Sequence, residues 1–280
     1  MGRPFKSELI IEERVSSPTL KGYYIGFDQQ KFRLIPLADV IRNVIPEFSF
    51  GLHEGTHFSL TEMVERLKEA AEMVYQTDKY QTRGEFGELI LHLLLRDFCN
   101  TIPLVSKIYF KDSHNVPAHG FDGVQVSVQG NEKKLWLGES KLYKSGADGV
   151  KELAKDIEKH VNEDYLRKEF SLIAKKIPES MPAVEHWRNL MHKYQKLDVI
   201  FSGIVIPMVC TYNSDIYLNH NDNTNECFTA FEQECQKLHE RFEKLKVAPN
   251  TEIILMLLPV HDKDELNTEL DKRLKSMQGI

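Results

Sequence analysis

FDGVQVSVQGNEKKLWLGESKLYKS, residues 121–145, carries two alternating apolar runs on either side of Gly130-Asn131. Gly-Asn is a favoured two-residue hairpin loop, with the glycine supplying the positive φ of a type II′ turn. Such a loop pairs Gln129 with Glu132. The register then sets Val128 opposite Lys133, Val126 opposite Leu135 and Val124 opposite Leu137. These pairs share one face, as a half-buried antiparallel pair requires, and a one-residue slip would break the match. The next pair on that face is Asp122 opposite Glu139, with Lys141 two residues further on.

Directly opposed residues have Cβ atoms roughly 4.5–5.5 Å apart. Two carboxylates that close repel unless a proton or a cation joins them. A hard divalent cation such as Mg²⁺ suits the gap, since it takes oxygen ligands and keeps several waters. Lys141 would then reach an attacked phosphate or a metal-bound water. A second reading stays open on these residues alone, a salt-bridged cluster of Asp122, Lys141 and Glu139 at a strand end. The Glu-x-Lys triplet itself decides nothing, because it recurs at Glu132-Lys133-Lys134 in the turn.

Outward from the hairpin, RGEFGELILHLLL predicts a helix from about Arg83 to Phe98, with Phe86, Leu89, Ile90, Leu93 and Leu94 as its buried stripe. Glu85 and Glu88 lie one turn apart at its start, and Glu88 borders the apolar stripe. The rival reading is a pair of solvated first-turn glutamates favoured by the helix dipole. SLTE at Ser59–Glu62 is a capping box for the helix that follows it, MVERLKEAAEMVYQ. VSKIYF predicts a strand before the hairpin. Helices are expected from Ala147 to His160 and from Glu163 to Lys176. IFSGIVIPMV reads as a strand, which Pro207 assigns to an edge or an end. A charged amphipathic helix from Asn225 to Val247, the buried strand EIILMLLPV and a helix through Leu266, Leu270 and Leu274 complete the chain. The layout is mixed α/β. The first fifty residues are not placed by their pattern.

The chain has 280 residues, 41% hydrophobic and 28% charged, with a formal net charge of -6. That composition fits one large globular domain, or a core with an appendage. A protein that grips nucleic acid unaided is usually basic, so any DNA substrate needs a second source of affinity. Local candidates for phosphate contact are Lys133, Lys134, Lys144 and the row Lys151, Lys155 and Lys159, interleaved with Glu152, Asp156 and Glu158. The four cysteines show no CxxC spacing. MGRPFKSELI lacks the apolar core of a secretory signal, and the apolar runs are too short to span a bilayer. A cytoplasmic protein with reduced thiols is expected.

The order helix-Glu, then Asp, then Glu-x-Lys resembles the PD-(D/E)xK nuclease superfamily. More narrowly, RGEFGELILHLLLRDF, HGFDGVQV and LWLGESKLYKSG are similar to the HamA family, nuclease subunits of bacterial Hachiman anti-phage systems. This resemblance is sharp over residues 83–146. It implies a restriction-endonuclease-like core at 81–280, a mixed sheet flanked by helices, with residues 1–80 as an N-terminal extension packed on it. It implies Mg²⁺, or Mn²⁺ in its place, held by Asp122, Glu139 and the Ser140 carbonyl. Lys141 is implied to orient the attacking water and stabilise the pentavalent phosphate, with Glu88, or else Glu85, completing the carboxylate set. A HamB-like helicase partner and a DNA substrate are implied as well. The chain departs from the superfamily in having Phe121 where a proline often precedes the aspartate. It also lacks an evident Gln-x-x-x-Tyr in the next helix, so no exonuclease polarity is carried over.

Two other functions compete. His53-Glu54-Gly55-Thr56-His57 matches the HExxH zinc-hydrolase pattern, which works only on a helix. Gly55 and Thr56 weaken a helix and the SLTE cap starts one later, so the motif is expected in an approach loop. The other competitor is a catalytically inactive assembly module, docking through Phe228, Phe231, Cys235, Leu238 and Phe242. His119 is a further loop candidate for phosphate contact. His160, Tyr143 and Ser145 carry no assignment.

Overall fold

The hairpin forms in the expected register. Gln129 pairs with Glu132, Val128 with Lys133, Val126 with Leu135, Val124 with Leu137 and Gly123 with Gly138. Gly130 has φ 60°, while Asn131 is not among the positive-φ residues, as a type II′ turn requires. The computed structural model describes residues 3–54, 59–74, 84–105, 120–246 and 251–279.

In chain order the elements are β1 (Glu12–Ser16), β2 (Leu20–Tyr24), β3 (Phe27–Asp28), β4 (Lys31–Phe32), α1 (Leu34–Asn43), α2 (Ile45–Glu54), α3 (Met63–Val74), α4 (Glu85–Phe98), β5 (Ile102–Pro103), β6 (Gly123–Gln129) and β7 (Glu132–Ser145). They continue with α5 (Gly146–His160), α6 (Glu163–Ala174), α7 (Val184–Leu190), α8 (Leu197–Gly203), β8 (Ile204–Asn213), α9 (Ile216–Asn219), α10 (Asn225–Leu245), β9 (Glu252–Val260) and α11 (Lys263–Gln278). Seven strands form one sheet in the order β1-β2-β9-β8-β7-β6-β5. The central strands β7, β8, β9 and β2 run parallel, and the pairs at both edges are antiparallel. This mixed sheet flanked by helices is the α/β class expected, and it is consistent with a nuclease-like core.

Alternation along β7 sorts the two faces. Leu135 and Leu137 join the core beneath α5 and α6, with Val150, Leu153, Ile157, Leu166 and Phe170. Trp136 joins the core beneath α1, α4 and α11, with Leu91, Leu94, Leu266 and Leu270. The helix before the hairpin and the helix after it therefore cover opposite faces of the same strand.

Two expectations are corrected, and the N-terminal residues left open are placed. Pro207 lies in a central strand, since β8 runs between β7 and β9. Its missing N–H is accommodated by a break in the ladder: β7–β8 pairing skips from Trp136–Val205 to Glu139–Met208. Residues 200–203, read as the start of that strand, end α8 instead. The unplaced N-terminal residues supply β1 and β2, and β2 extends the sheet alongside β9. The strand expected at VSKIYF falls largely outside the described residues; the short strand β5, which precedes it, pairs with β6.

The capping contact at Ser59 is present. Glu62 accepts from the Ser59 N–H at 3.1 Å and from its hydroxyl at 2.5 Å, although the helix proper starts at Met63. His53 and Glu54 end α2 beyond a break at Gly51 (φ 75°), so they do not lie in a loop. Their side chains, Gly55, Thr56, His57 and also His119 lie outside the described residues.

Candidate active site at the end of the hairpin

β6 stops one residue short of Asp122, while β7 continues to Ser145. Beyond Gly138 one edge of β7 therefore has no ladder partner in β6, and Asp122 takes its place. Its carboxylate accepts from the Ser140 N–H at 2.9 Å and from the Ser140 hydroxyl at 2.8 Å. The ladder keeps the expected register and ends at Gly123–Gly138, so Asp122 and Glu139 come directly after its last pair. Asp122, Glu139, Ser140 and Lys141 nevertheless line one open cleft of about 400 Å³, together with Gly84, Tyr143, Lys144, Lys263 and Asn267.

Glu139 and Lys141 sit on the α5 face of the strand. Lys141 Nζ lies 3.0 Å from Glu139 Oε1 and 2.6 Å from Asp156 Oδ2 on α5. His160, one turn further along α5, places Nε2 3.8 Å from Glu139 Oε2. The imidazole is buried, stacked on Tyr165 at 5.2 Å and edge-on to Phe121 at 4.6 Å. Neither Asp156 nor His160 was assigned a role from sequence. Their only signal is that His160 continues the buried stripe of Leu153 and Ile157, where an apolar residue would be expected.

The charged groups of the cleft perturb one another strongly. Burial, then the nearby Asp122 charge, pushes the Glu139 carboxyl up to about 8. Burial lowers the Lys141 ammonium, but Glu139 and Asp156 outweigh it and leave its pKa raised. Burial also pushes His160 down to about 4, so the ring adds no positive charge near neutrality. Glu139 and Asp156 both contact the Lys141 ammonium, and Asp122 is a third acidic group close enough to Glu139 to raise its pKa. Glu139 Oε2 is buried and accepts no hydrogen bond, an arrangement that is costly for the ionised form unless a proton or another positive group reaches it.

Among the described residues no three His, Cys, Asp or Glu side chains stand close enough to hold a metal by themselves. Mg²⁺ asks for less, one or two carboxylates with water completing its shell. The orphaned Glu139 oxygen beside Asp122 meets that demand. Glu85 and Glu88 lie half-buried in the first turn of α4, next to the cleft-lining Gly84. Their neighbour Gly87 packs so closely on Ser140 that an added Cβ would stand 3.0 Å from its Oγ.

The lysines separate into two groups. Lys144 and Lys263 line the cleft and share Asp264, at 2.7 and 2.9 Å. Lys151 and Lys155 are exposed on α5, Lys155 in a 2.5 Å pair with Glu152. Lys133 and Lys134 lie at the hairpin end of β7, and Lys134 is engaged with Ser202 O at 3.0 Å and Glu252 at 3.4 Å. Tyr143 lines the cleft, and Ser145 caps α5 by accepting from the Asp148 N–H at 3.2 Å.

Among the described residues no helix is long and apolar enough to cross a membrane. Comparison with curated proteins gives no match. The family model HamA, by contrast, matches residues 3–274, from before the first strand into the last helix. That span takes in the hairpin, the cleft and both flanking helices, and the chain belongs to the HamA family, which places it in anti-phage defence.

Proposed function

We propose that this protein is a metal-dependent DNA nuclease, with Asp122, Glu139 and Lys141 as its chemical core. The observation that carries the reading is the meeting of an orphaned buried carboxylate oxygen, a second carboxylate and a charged lysine where β7 outruns β6. Asp122 and Glu139 would hold Mg²⁺ or Mn²⁺, with the Ser140 carbonyl and Glu88 or Glu85 as further oxygen donors. The bound cation supplies Lewis acidity and a lowered pKa for water at the phosphodiester.

The chain's own residues do the positioning. Asp122 fixes Ser140 through two hydrogen bonds and so holds the strand end that presents Glu139 and Lys141. Lys141, kept charged by its carboxylate neighbours, offsets the negative charge that develops on the attacked phosphate. Lys144 and Lys263 meet flanking phosphates at the rim. The net charge of -6 supports a reading in which a HamB-like helicase supplies most of the DNA affinity and licenses cutting.

The test is incubation of the full chain with duplex DNA and Mg²⁺, with and without the helicase and ATP. Cleavage should require the metal and fall by about a hundredfold or more in Glu139→Ala and Lys141→Ala. Folded variants that cut like the wild type would remove the assignment. Defence that survives both substitutions would point instead to a non-enzymatic assembly module.

A further inference from the structure

We infer that Asp156 is a positioning residue of this site: it shares the Lys141 ammonium with Glu139 and so leaves Glu139 Oε2 to a divalent cation. The inference rests on the metal-dependent reading above. Lys141 Nζ lies nearer to Asp156 Oδ2, at 2.6 Å, than to Glu139 Oε1, at 3.0 Å. The two carboxylates approach from different elements, Glu139 from β7 and Asp156 from α5. Lys141 donates to Glu139 Oε1, while its contact with Asp156 Oδ2 is an ion pair, and a compact point charge can face both carboxylates at once.

Removing either carboxylate leaves the ammonium wholly to the other. The Glu139 side chain is 10% exposed and that of Asp156 29%. A pair is screened less the more deeply it is buried, so a Lys141 released by Asp156 would close on Glu139. There it would compete with a cation for the same carboxylate. His160 cannot relieve the competition, because its Nε2 lies 3.8 Å from Glu139 Oε2, beyond hydrogen-bond reach.

The position of Asp156 is rigid. Gly146 and Gly149 bring α5 against the side chains of Tyr212 and Cys210 with no room for a Cβ. Leu153 and Ile157 are fully buried on either side of Asp156 along the helix. The division of Lys141 between the two carboxylates is therefore set by the packing of α5 on the sheet.

The experiment measures Mn²⁺ binding to the full chain without DNA, from the loss of the free-ion paramagnetic resonance signal. Asp156→Asn should weaken binding roughly tenfold, within the range of coupling between contacting charged residues. In a Lys141→Gln background, Asp156→Asn should have little further effect. If Asp156 is instead a ligand, or acts only through its own field, its effect persists with Lys141 gone, and the inference falls. Unchanged binding in Asp156→Asn also overturns it. As a second readout, the kcat of DNA cleavage should drop in Asp156→Asn with KM for DNA unchanged, and recover as Mg²⁺ is raised. A loss that no metal concentration restores would mark Asp156 as merely structural. Glu139→Ala separates the two readings: wild-type Mn²⁺ affinity in that variant would remove the metal site itself, whatever Asp156 does.

Discussion

A methyl group at Gly138 would stand 2.8 Å from Leu91 Cδ2 of α4, and one at its paired Gly123 would stand 3.0 Å away. Leu91 is fully buried. Gly138→Ala is therefore expected to destabilise the protein by about 1–3 kcal/mol, read as a lowered urea midpoint. Leu91→Ala removes the obstacle at its own cavity cost, so the double variant should lose less than the two single losses combined. Fully additive losses would mean that the close approach is not what makes glycine necessary. Gly138 also precedes Glu139, so the same contact seats the candidate site. Glu139 and Lys141 were legible because a two-residue turn fixes a register, and a register fixes which side chains share a face. Asp156 and His160 were not legible, because their approach depends on the angle at which α5 leaves β7. No periodicity encodes that angle.

At the level of elements, β7 passes into α5 with no linker, and Ser145 is the joint. Its hydroxyl satisfies the Asp148 N–H, so Ser145→Ala should cost about 1 kcal/mol in a denaturation experiment. On the other face, α2 is pinned to α4 by Glu47, which accepts from Arg96 Nη2 at 3.1 Å and faces His92 Nε2 at 2.9 Å. Burial raises the Glu47 carboxyl, but the hydrogen bonds from His92 and Arg96 reverse this and leave its pKa below the ordinary 4.5. A depressed folded pKa means that the ionised form stabilises the fold. That stability is present above the ordinary value and is lost as pH falls through the lower, folded one. The urea midpoint should therefore drop on acidification below about pH 4.5, and drop less in Glu47→Gln. Equal drops would show that the pin contributes nothing. None of these residues stood out in sequence, although α4 itself did. The elements with strong patterns, β9 and α11, appear at or near their expected bounds. Pro207 misled because a lone proline argues for an edge, while a central parallel strand can tolerate one where its ladder is interrupted.

Over the whole molecule, charge is distributed against a general grip on DNA. The formal net charge is -6, yet the cleft rim carries Lys144 and Lys263, and α5 exposes Lys151 and Lys155 nearby. Each phosphate neutralised on B-form DNA contributes a slope of about -0.9 to the dependence of log K on log salt concentration. With two to four such contacts, the isolated chain should show a slope of roughly -2 to -4, and correspondingly weak binding at physiological salt. Fluorescence anisotropy of a labelled duplex across a salt series measures it, in Ca²⁺ to prevent cutting. Lys144→Gln and Lys263→Gln should each reduce the slope by about 1. A slope near -8, or one untouched by the two rim substitutions, would place the DNA on a surface outside the cleft. Adding the proposed helicase partner should steepen the dependence, because the extra phosphate contacts would then be its own. The rim is thus expected to set where the backbone lies across Glu139 and Lys141, while the partner sets how long it stays.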